Sequence, residues 1–376
     1  MATVVVEDDG TFPTINAAIA DAGTNNNDTI EVQGTWDNDD ATQVVSSKTG
    51  IIIQADASSK HNGVAQAHAN SDTTTYRHRV TAVANDHSFE ISGTGWTVTD
   101  IDIQNLSTGT SDEVFRLAAG MAAFTAQDCL LGFVGINSQQ DIVYYDSATN
   151  IIINLQNCIC YNAGRAVVDV FSETNDPDVI INLNCCTTWD CGGSGAASSR
   201  EGVVGHSSDT TVSIDVNLFN CIFKMATGTD VIVSMAVHSG TVSAYSIDHC
   251  KTNSSDWDTG SWDTATVDAS STLSLALGEA TDGSDDIIIN DETTSPYDLR
   301  LTDNANNDAQ DAHTDADMDN EVGGQTLSIP AADILGTVRP QNTNHDIGAF
   351  EIVAAGGANP KGPLGMPLIG ALGGPI

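Results

Sequence analysis

Positive charge is what this sequence has least of. Twelve Lys and Arg stand against 51 Asp and Glu, a formal net charge of -39 at pH 7. Such a chain repels phosphate backbones and anionic headgroups, which argues against nucleic acid and anionic membranes as partners. It also repels itself, so salt or divalent cations should raise its stability. Lys, Glu, Arg and Gln are scarce, whereas Thr, Asn, Asp, Ser, Gly, Val and Ile dominate; these are strand and turn residues, not helix formers. No apolar run is long enough to cross a bilayer. The opening Met1-Ala-Thr-Val-Val-Val-Glu-Asp-Asp has neither the positive region nor the apolar stretch of a secretory signal. The expectation is synthesis in a cytoplasm without general export.

What is present is a repeat. Its copies are Val98-Thr-Asp-Ile-Asp-Ile-Gln-Asn-Leu106, Phe124-Thr-Ala-Gln-Asp-Cys129, Ile152-Ile-Asn-Leu-Gln-Asn-Cys158, Ile180-Ile-Asn-Leu-Asn-Cys-Cys186, Ile214-Asp-Val-Asn-Leu-Phe-Asn-Cys221 and Val242-Ser-Ala-Tyr-Ser-Ile-Asp-His-Cys250. Aligning Leu106, Cys129, Cys158, Cys186, Cys221 and Cys250 gives steps of 23, 29, 28, 35 and 29 residues. Each copy alternates apolar and polar residues and shows no helical stripe, so one face is buried and the other wet. Stacking such units pairs equivalent strands in parallel around a continuous interior. The fold class expected is all-β, a right-handed parallel β-helix solenoid.

The alignment also explains the cysteines. Five of the eight share one column, where side chains of successive coils stack about 4.8 Å apart. Disulfides between adjacent parallel strands are strained, so reduced, buried thiols are expected throughout. Cys160, Cys185 and Cys191 lie beside the column and could pair locally, but no Cys-x-x-Cys is matched by a second to make a zinc site. Just before the column stand Asn105, Asp128, Asn157, Asn220 and His249, residue types suited to the left-handed backbone of a sharp corner.

A solenoid needs its open ends covered. Residues 13–22 read as a capping helix started by Thr14 or Pro13, with Ile15, Ala18, Ile19 and Ala22 on one face. The organisation expected is residues 1–28 as first strand and capping helix, 29–352 as the β-helix, and 353–376 as an extended C-terminal tail. Gly10-Thr-Phe-Pro-Thr-Ile-Asn-Ala-Ala-Ile19 followed by Asn27-Asp-Thr-Ile-Glu-Val32 resembles the start of pectate-lyase-like right-handed β-helix proteins. Ser295-Pro-Tyr-Asp-Leu-Arg-Leu301, Asp333-Ile-Leu-Gly-Thr-Val-Arg-Pro340 and His345-Asp-Ile-Gly-Ala-Phe-Glu351 look like the closing motif of bacterial and phage surface β-helix proteins. Over residues 3–352 the resemblance implies the fold. It does not choose among the polysaccharide lyases, glycoside hydrolases and tailspikes of that family.

A β-helix glycosidase needs carboxylates gathered on one strand face. The family's hydrolases carry Asn-Thr-Asp, Asp-Asp, Gly-His-Gly and Arg-Ile-Lys in order; here Gly205-His206-Ser207 and Asp285-Asp286 stand alone and in the wrong order. Lyases need an Arg or Lys base beside calcium-binding carboxylates. The best basic cluster, Arg77-His78-Arg79, reads as part of a Thr- and Asn-rich excursion without a paired acidic motif. No complete catalytic motif is found, and the expectation is not an enzyme, with a site shared between subunits left open.

Asp315, Asp317 and Asp319 have calcium-loop spacing. The match stops at Asn320 and Thr326, where the loop would have glycine and glutamate, which favours a solvated acidic loop. No other cofactor is suggested. Residues 353–376 are rich in Gly and Pro yet carry Leu364, Met366, Leu368, Ile369, Leu372 and Ile376. An extended apolar peptide of this kind suits a partner's grip. A surface fold, no export signal and a docking tail together suggest a homo-oligomeric virion surface protein, such as a capsid decoration, turret or tail-spike component. Its partners would be other virion proteins through the tail, and host-surface glycan. A polysaccharide-degrading tailspike and a cellular adhesin are the alternatives.

Overall fold

The computed structural model describes residues 1–7, 10–21, 23–34, 37–38, 44–57, 59–61, 64–65, 77–80, 87–106, 112–118, 120–133, 140–171, 177–191, 203–206, 213–225, 231–235, 243–254, 256–259, 262–271, 273, 288–290, 297–301, 309–310, 312–340 and 344–352. Three all-parallel sheets of ten, eight and eight strands are built from strands between Thr3 and Val267. Each coil visits them in turn. The coil Ala123–Gln127, Leu130–Phe133, Asp141–Tyr145, for example, contributes one strand to each of sheets A, B and C. The fold is a parallel β-helix.

Alternation in sheet A decides what lies inside. Val98, Ala126, Leu155, Leu183, Leu218 and Ile247 stack in register with under 1 % exposure, while Thr99, Gln127 and Gln156 are partly exposed. Each buried aliphatic side chain stabilises by about 1.5–3 kcal/mol, and repetition over the stack makes the interior one continuous core. Phe89, Phe115 and Phe124 fill its wider part, with ring centroids 5.2 and 4.8 Å apart.

All eight cysteines are free and buried. The five of the column form a ladder in which every thiol donates to a carbonyl of the coil before. Cys129 donates to Val98 O at 3.5 Å, Cys158 to Ala126 O at 3.3 Å, Cys186 to Leu155 O at 3.3 Å, Cys221 to Leu183 O at 3.4 Å and Cys250 to Leu218 O at 3.4 Å. Cys160, Cys185 and Cys191 do not pair.

The corner between sheets A and B is made by Asp100, Asp128, Asn157, Cys185, Asn220 and His249, with φ between 51° and 63°. Each of the first five donates its backbone N–H to the coil above, as from Asn157 to Asn184 O at 2.9 Å. This corrects one rung of the alignment. Thr99 pairs with Gln127, so Asp100 and Ile101 stand below Asp128 and Cys129, where Asn105 and Leu106 were expected. Asp102-Ile-Gln-Asn-Leu106 imitates the corner sequence, but Asp102–Asn105 is a strand of sheet B. The step from Ile101 to Cys129 is 28 residues, like its neighbours.

One boundary and one segment also differ from expectation. Thr3–Val6 pairs in parallel with Thr29–Val32, so the stack begins at residue 3, inside the unit assigned to the cap. Arg77–Val80 is a strand of sheet B between Asp37–Asn38 and Asp102–Asn105, not an excursion. The helix is Ile15–Ala20; Thr14 caps it by accepting from Ala17 N at 3.0 Å, and Ile15, Ala18 and Ile19 are buried. At its other end the Lys48 ammonium donates to Ile19 O, Asp21 O and Thr24 O at 2.5, 3.2 and 2.7 Å, satisfying carbonyls a helix terminus leaves free. Among the described residues no helix is long and apolar enough to cross a membrane.

The C-terminal motifs lie along the flank of the stack as a strap. Tyr297–Leu301 first pairs antiparallel with Val64–Ala65 and with Ile288–Asn290. Residues 312–332 then run backwards along the outer face of sheet A: Asp319 N donates to Asp248 at 2.9 Å, Val322 N to Asn217 at 2.8 Å, and Ser328 O and Ala332 O accept from Asn184 and Asn157 at 2.8 and 2.9 Å. Ile334, Ile347, Ala349, Phe350 and Ile352 pack with Leu130, Ile159, Tyr161, Trp189 and Ile222 of sheet B in a second apolar cluster. Residues 353–376, with Leu364, Met366, Leu368, Ile369, Leu372 and Ile376, and the pair Asp285-Asp286 lie outside the described residues.

Candidate functional site

Two groups of polar side chains stand out, neither singled out as a unit from the sequence. The first is on sheet C. Its register aligns Glu90, Arg116, Tyr144, Asp169 and Gly205 in one column, and Glu113 beside Asp141. Arg165, just before the strand Ala166–Val170, donates Nε to Asp141 Oδ1 at 3.0 Å and Nη2 to Asp141 Oδ2, and also meets Asp169 Oδ2 at 2.8 Å. Asp141 accepts Ala166 N as well, at 3.1 Å. Both carboxylates are fully buried. The Tyr144 ring lies between two guanidiniums, Arg116 at 5.8 Å and Arg165 at 5.5 Å, and stacks on Phe171 at 6.3 Å. Arg116 continues the network to His87 Nε2 at 3.0 Å and Asp146 at 3.4 Å, while His87 Nδ1 pairs with Glu113. Burial raises the Glu113 pKa against the pull of His87, and raises that of Tyr144. The sequence signal was the strand alignment itself: matching Phe115, Val143 and Val168 brings Arg116, Tyr144 and Asp169 into line.

Chemically this group is a clamp. An acid–base pair needs a carboxylate able to reach a substrate proton. Asp141 has both oxygens on one guanidinium, and that guanidinium also holds Asp169 one coil away. The arrangement ties strands of sheet C together. On the exposed side it presents Tyr144, Arg116 and Asp146 to solvent.

The second group lies where the strap meets the corner. Rings of His249, His313 and His345 stand in a row, with centroids 3.9 Å apart between His249 and His313 and 5.8 Å between His313 and His345. His313 Nε2 is 2.8 Å from Asn220 Oδ1, and Phe219 packs against both His249 and His313. Asn220 donates to Asp346 O at 3.0 Å and to the Cys185 thiol at 3.3 Å. Burial, with His249 and His345 alongside, lowers the His313 pKa to about 3; burial and Arg339 lower that of His345. Burial pulls His249 down too, but Asp248 Oδ1 at 2.6 Å outweighs it and the net shift is upward.

The closing motifs find their physical reason here. Asp333 accepts from Leu335 N, Thr337 N and Glu351 N at 2.9, 2.6 and 3.0 Å, and Arg339 donates to Gly348 O at 2.8 Å. These hydrogen bonds tie residues 333–339 to residues 348–351.

The three aspartates of calcium-loop spacing go to different tasks. Asp315 faces His249 Nε2 at 3.4 Å, Asp317 bridges to Ser328, and Asp319 is held through its backbone by Asp248 and Ser246. Asn320 takes the left-handed φ of 60° that a turn glycine would. Among the described residues no group of three or more His, Cys, Asp or Glu is arranged to hold a metal ion. Gly205 and His206 sit in a strand of sheet C, with Gly205 opposite Asp169.

No family model matches the chain, and no curated protein matches it. Among solved structures it is similar to the crystal structure of pectate lyase Pel9A, with a TM-score of 0.43 and 12% identity over 93% of this chain and 96% of that one. The assignment to a parallel β-helix rests on the strand pairing of the chain itself.

Proposed function

We propose that this chain is a non-catalytic, homo-oligomeric structural component of a virion surface, a capsid decoration, turret or tail-spike part. It is made in a host cytoplasm and held in its particle through residues 353–376. The observation that supports this reading most is the occupation of the sheet C carboxylates. Asp141 and Asp169 are buried and share Arg165, an arrangement suited to locking coils in register and not to moving a proton. The tail continues from Ile352, which is buried in the strap's apolar cluster, so a load on the tail would pass to the flank of the solenoid. Contact with host glycan is assigned to the exposed side of the sheet C column, around Tyr144 and Arg116.

Two measurements test the reading. A chain ending at Ile352 should fold with unchanged circular dichroism and fail to join its particle; normal incorporation would remove the tail from the account. Incubation of the full chain with host polysaccharide should release neither reducing ends nor unsaturated sugar. Release of either would establish the polysaccharide-degrading alternative.

A further inference from the structure

The three stacked imidazoles belong to two different parts of the chain. His249 is the corner residue that follows the sheet A strand Ala244–Asp248, whereas His313 and His345 come from the strap and bridge to each other across it. We propose that the histidine row is an acid-sensitive latch, which holds the strap on the solenoid while His313 and His345 are neutral and releases it when they take up protons.

Geometry carries the argument. Rings 3.9 Å apart, packed on Phe219, are compatible with neutral imidazoles. A proton on His313 places a cation against His249; Asp248 and the Asp315 backbone favour that proton, but burial and the flanking His249 and His345 outweigh them. The charged groups around the row differ by position. Asp248 and Asp268 approach His249 from the last coils, and Asp315 approaches it from the strap. Arg339 of the strap bears on His345. Carboxylates therefore gather at one end of the row and a guanidinium at the other. His249 is the member that holds a proton most readily, and its main partner Asp248 is the residue before it in the same coil, so that preference persists when the strap leaves.

The sign follows from linkage. Docking lowers the pKa of His313 to about 3 and lowers that of His345, both by burial first. A group depressed in the docked state favours docking above its free value, near pH 6.5, and progressively less as pH falls below it. One such histidine weakens docking by about tenfold per pH unit, and two by up to about a hundredfold. Asp333, raised by burial within the strap, works the other way, but over the lower range where carboxyls titrate.

The test is hydrogen exchange on the full chain between about pH 7.5 and 5, bracketing the free histidine value, with each rate divided by its intrinsic rate. The expected result is loss of protection at Val322, Gly348 and Ala349, whose N–H groups bond the strap to Asn217, Asn220 and Thr187 of the coils, while Asn157 and Cys185 of the coils stay protected. In the double variant His313→Gln and His345→Gln the strap's protection should lose its pH dependence. Strap protection in the native chain that is flat over this range overturns the latch. Should the double variant leave the strap undocked at every pH, proton resonances of the native histidines decide. His313 titrating near its free value while the strap is docked also overturns it.

Discussion

Asn182 donates its side-chain amide to Asn154 Oδ1 one coil below at 2.8 Å, and accepts from Asn217 Nδ2 one coil above at 2.9 Å. The three amides form a ladder on the outer face of sheet A, in pairing register. Val322 N closes its upper end on Asn217 and Gln325 meets Asn182 at 3.2 Å. Repetition of one residue type thus turns a polar face into a hydrogen-bonded spine beneath the strap.

Asn182→Ala removes the middle of that spine at a site only 2% exposed, taking away the partner of Asn154 Oδ1 and leaving Asn217 Nδ2 only Val322 O. A loss of about 1–3 kcal/mol is expected, read as a lower urea midpoint at constant slope. Thr125→Ala, at the ladder's lower end where the contact is 3.5 Å, should cost less than about 1 kcal/mol. Equal losses at the two sites would mean that the ladder does not act as a unit.

Arg165 is the cation for two buried carboxylates. Arg165→Met leaves both without it and should cost about 3–5 kcal/mol, while adding Asp141→Asn should restore part of the loss. Thermal melts of the single and double variants measure the difference.

Asp128 tests the corner by pH. Burial raises its folded pKa, with Lys60 opposing. A carboxyl raised on folding binds its proton more tightly in the folded state, so its contribution to stability is fully present below the unfolded value and is lost as pH rises through the folded one. Asp128→Asn removes that loss and keeps an oxygen for Asn157, which donates to Asp128 at 3.0 Å. The variant should be more stable at neutral pH, an advantage that disappears in acid. An advantage independent of pH would point to some other cause.

Gly348 lies where the strap touches the coils, with φ at 97° and an added Cβ at 2.8 Å from Thr187 Oγ1 and 3.0 Å from Ile222 Cδ1. Gly348→Ala meets both the backbone penalty, about 1–2 kcal/mol, and the contact. Limited proteolysis should cut the variant within 312–352 well before the native chain, with the coils intact.

Much of this fold was legible because a coil repeats the same physical demand. Cys129, Cys158, Cys186, Cys221 and Cys250 face one narrow interior position, and small apolar residues recur there. The capping helix was legible from Thr14 and the spacing of Ile15, Ala18 and Ile19. The lowest rung of the column was misaligned because Asp102-Ile-Gln-Asn-Leu106 has the same alternation as a corner, and alternation alone does not say which strand a segment enters. The strap was recognised as a motif, but not placed. Its contacts with Asn157, Asn217 and Asn220 join residues 175, 105 and 126 positions apart, and no local pattern encodes such a distance. The Arg165 clamp was missed for a related reason, since its carboxylates come from separate coils and 51 acidic residues hide any particular pair.

A stack in which each coil touches only its neighbours comes apart from its ends, one rung at a time. The strap changes that sequence of events, because it lies across the coils of Asp248, Asn217, Asn184 and Asn157 at once. Peeling the last rung therefore also pulls on the middle of the column. Force applied at the C-terminal side is met by several coils in parallel, and under tension the solenoid should rupture in one large step where a bare stack would give a staircase of small ones.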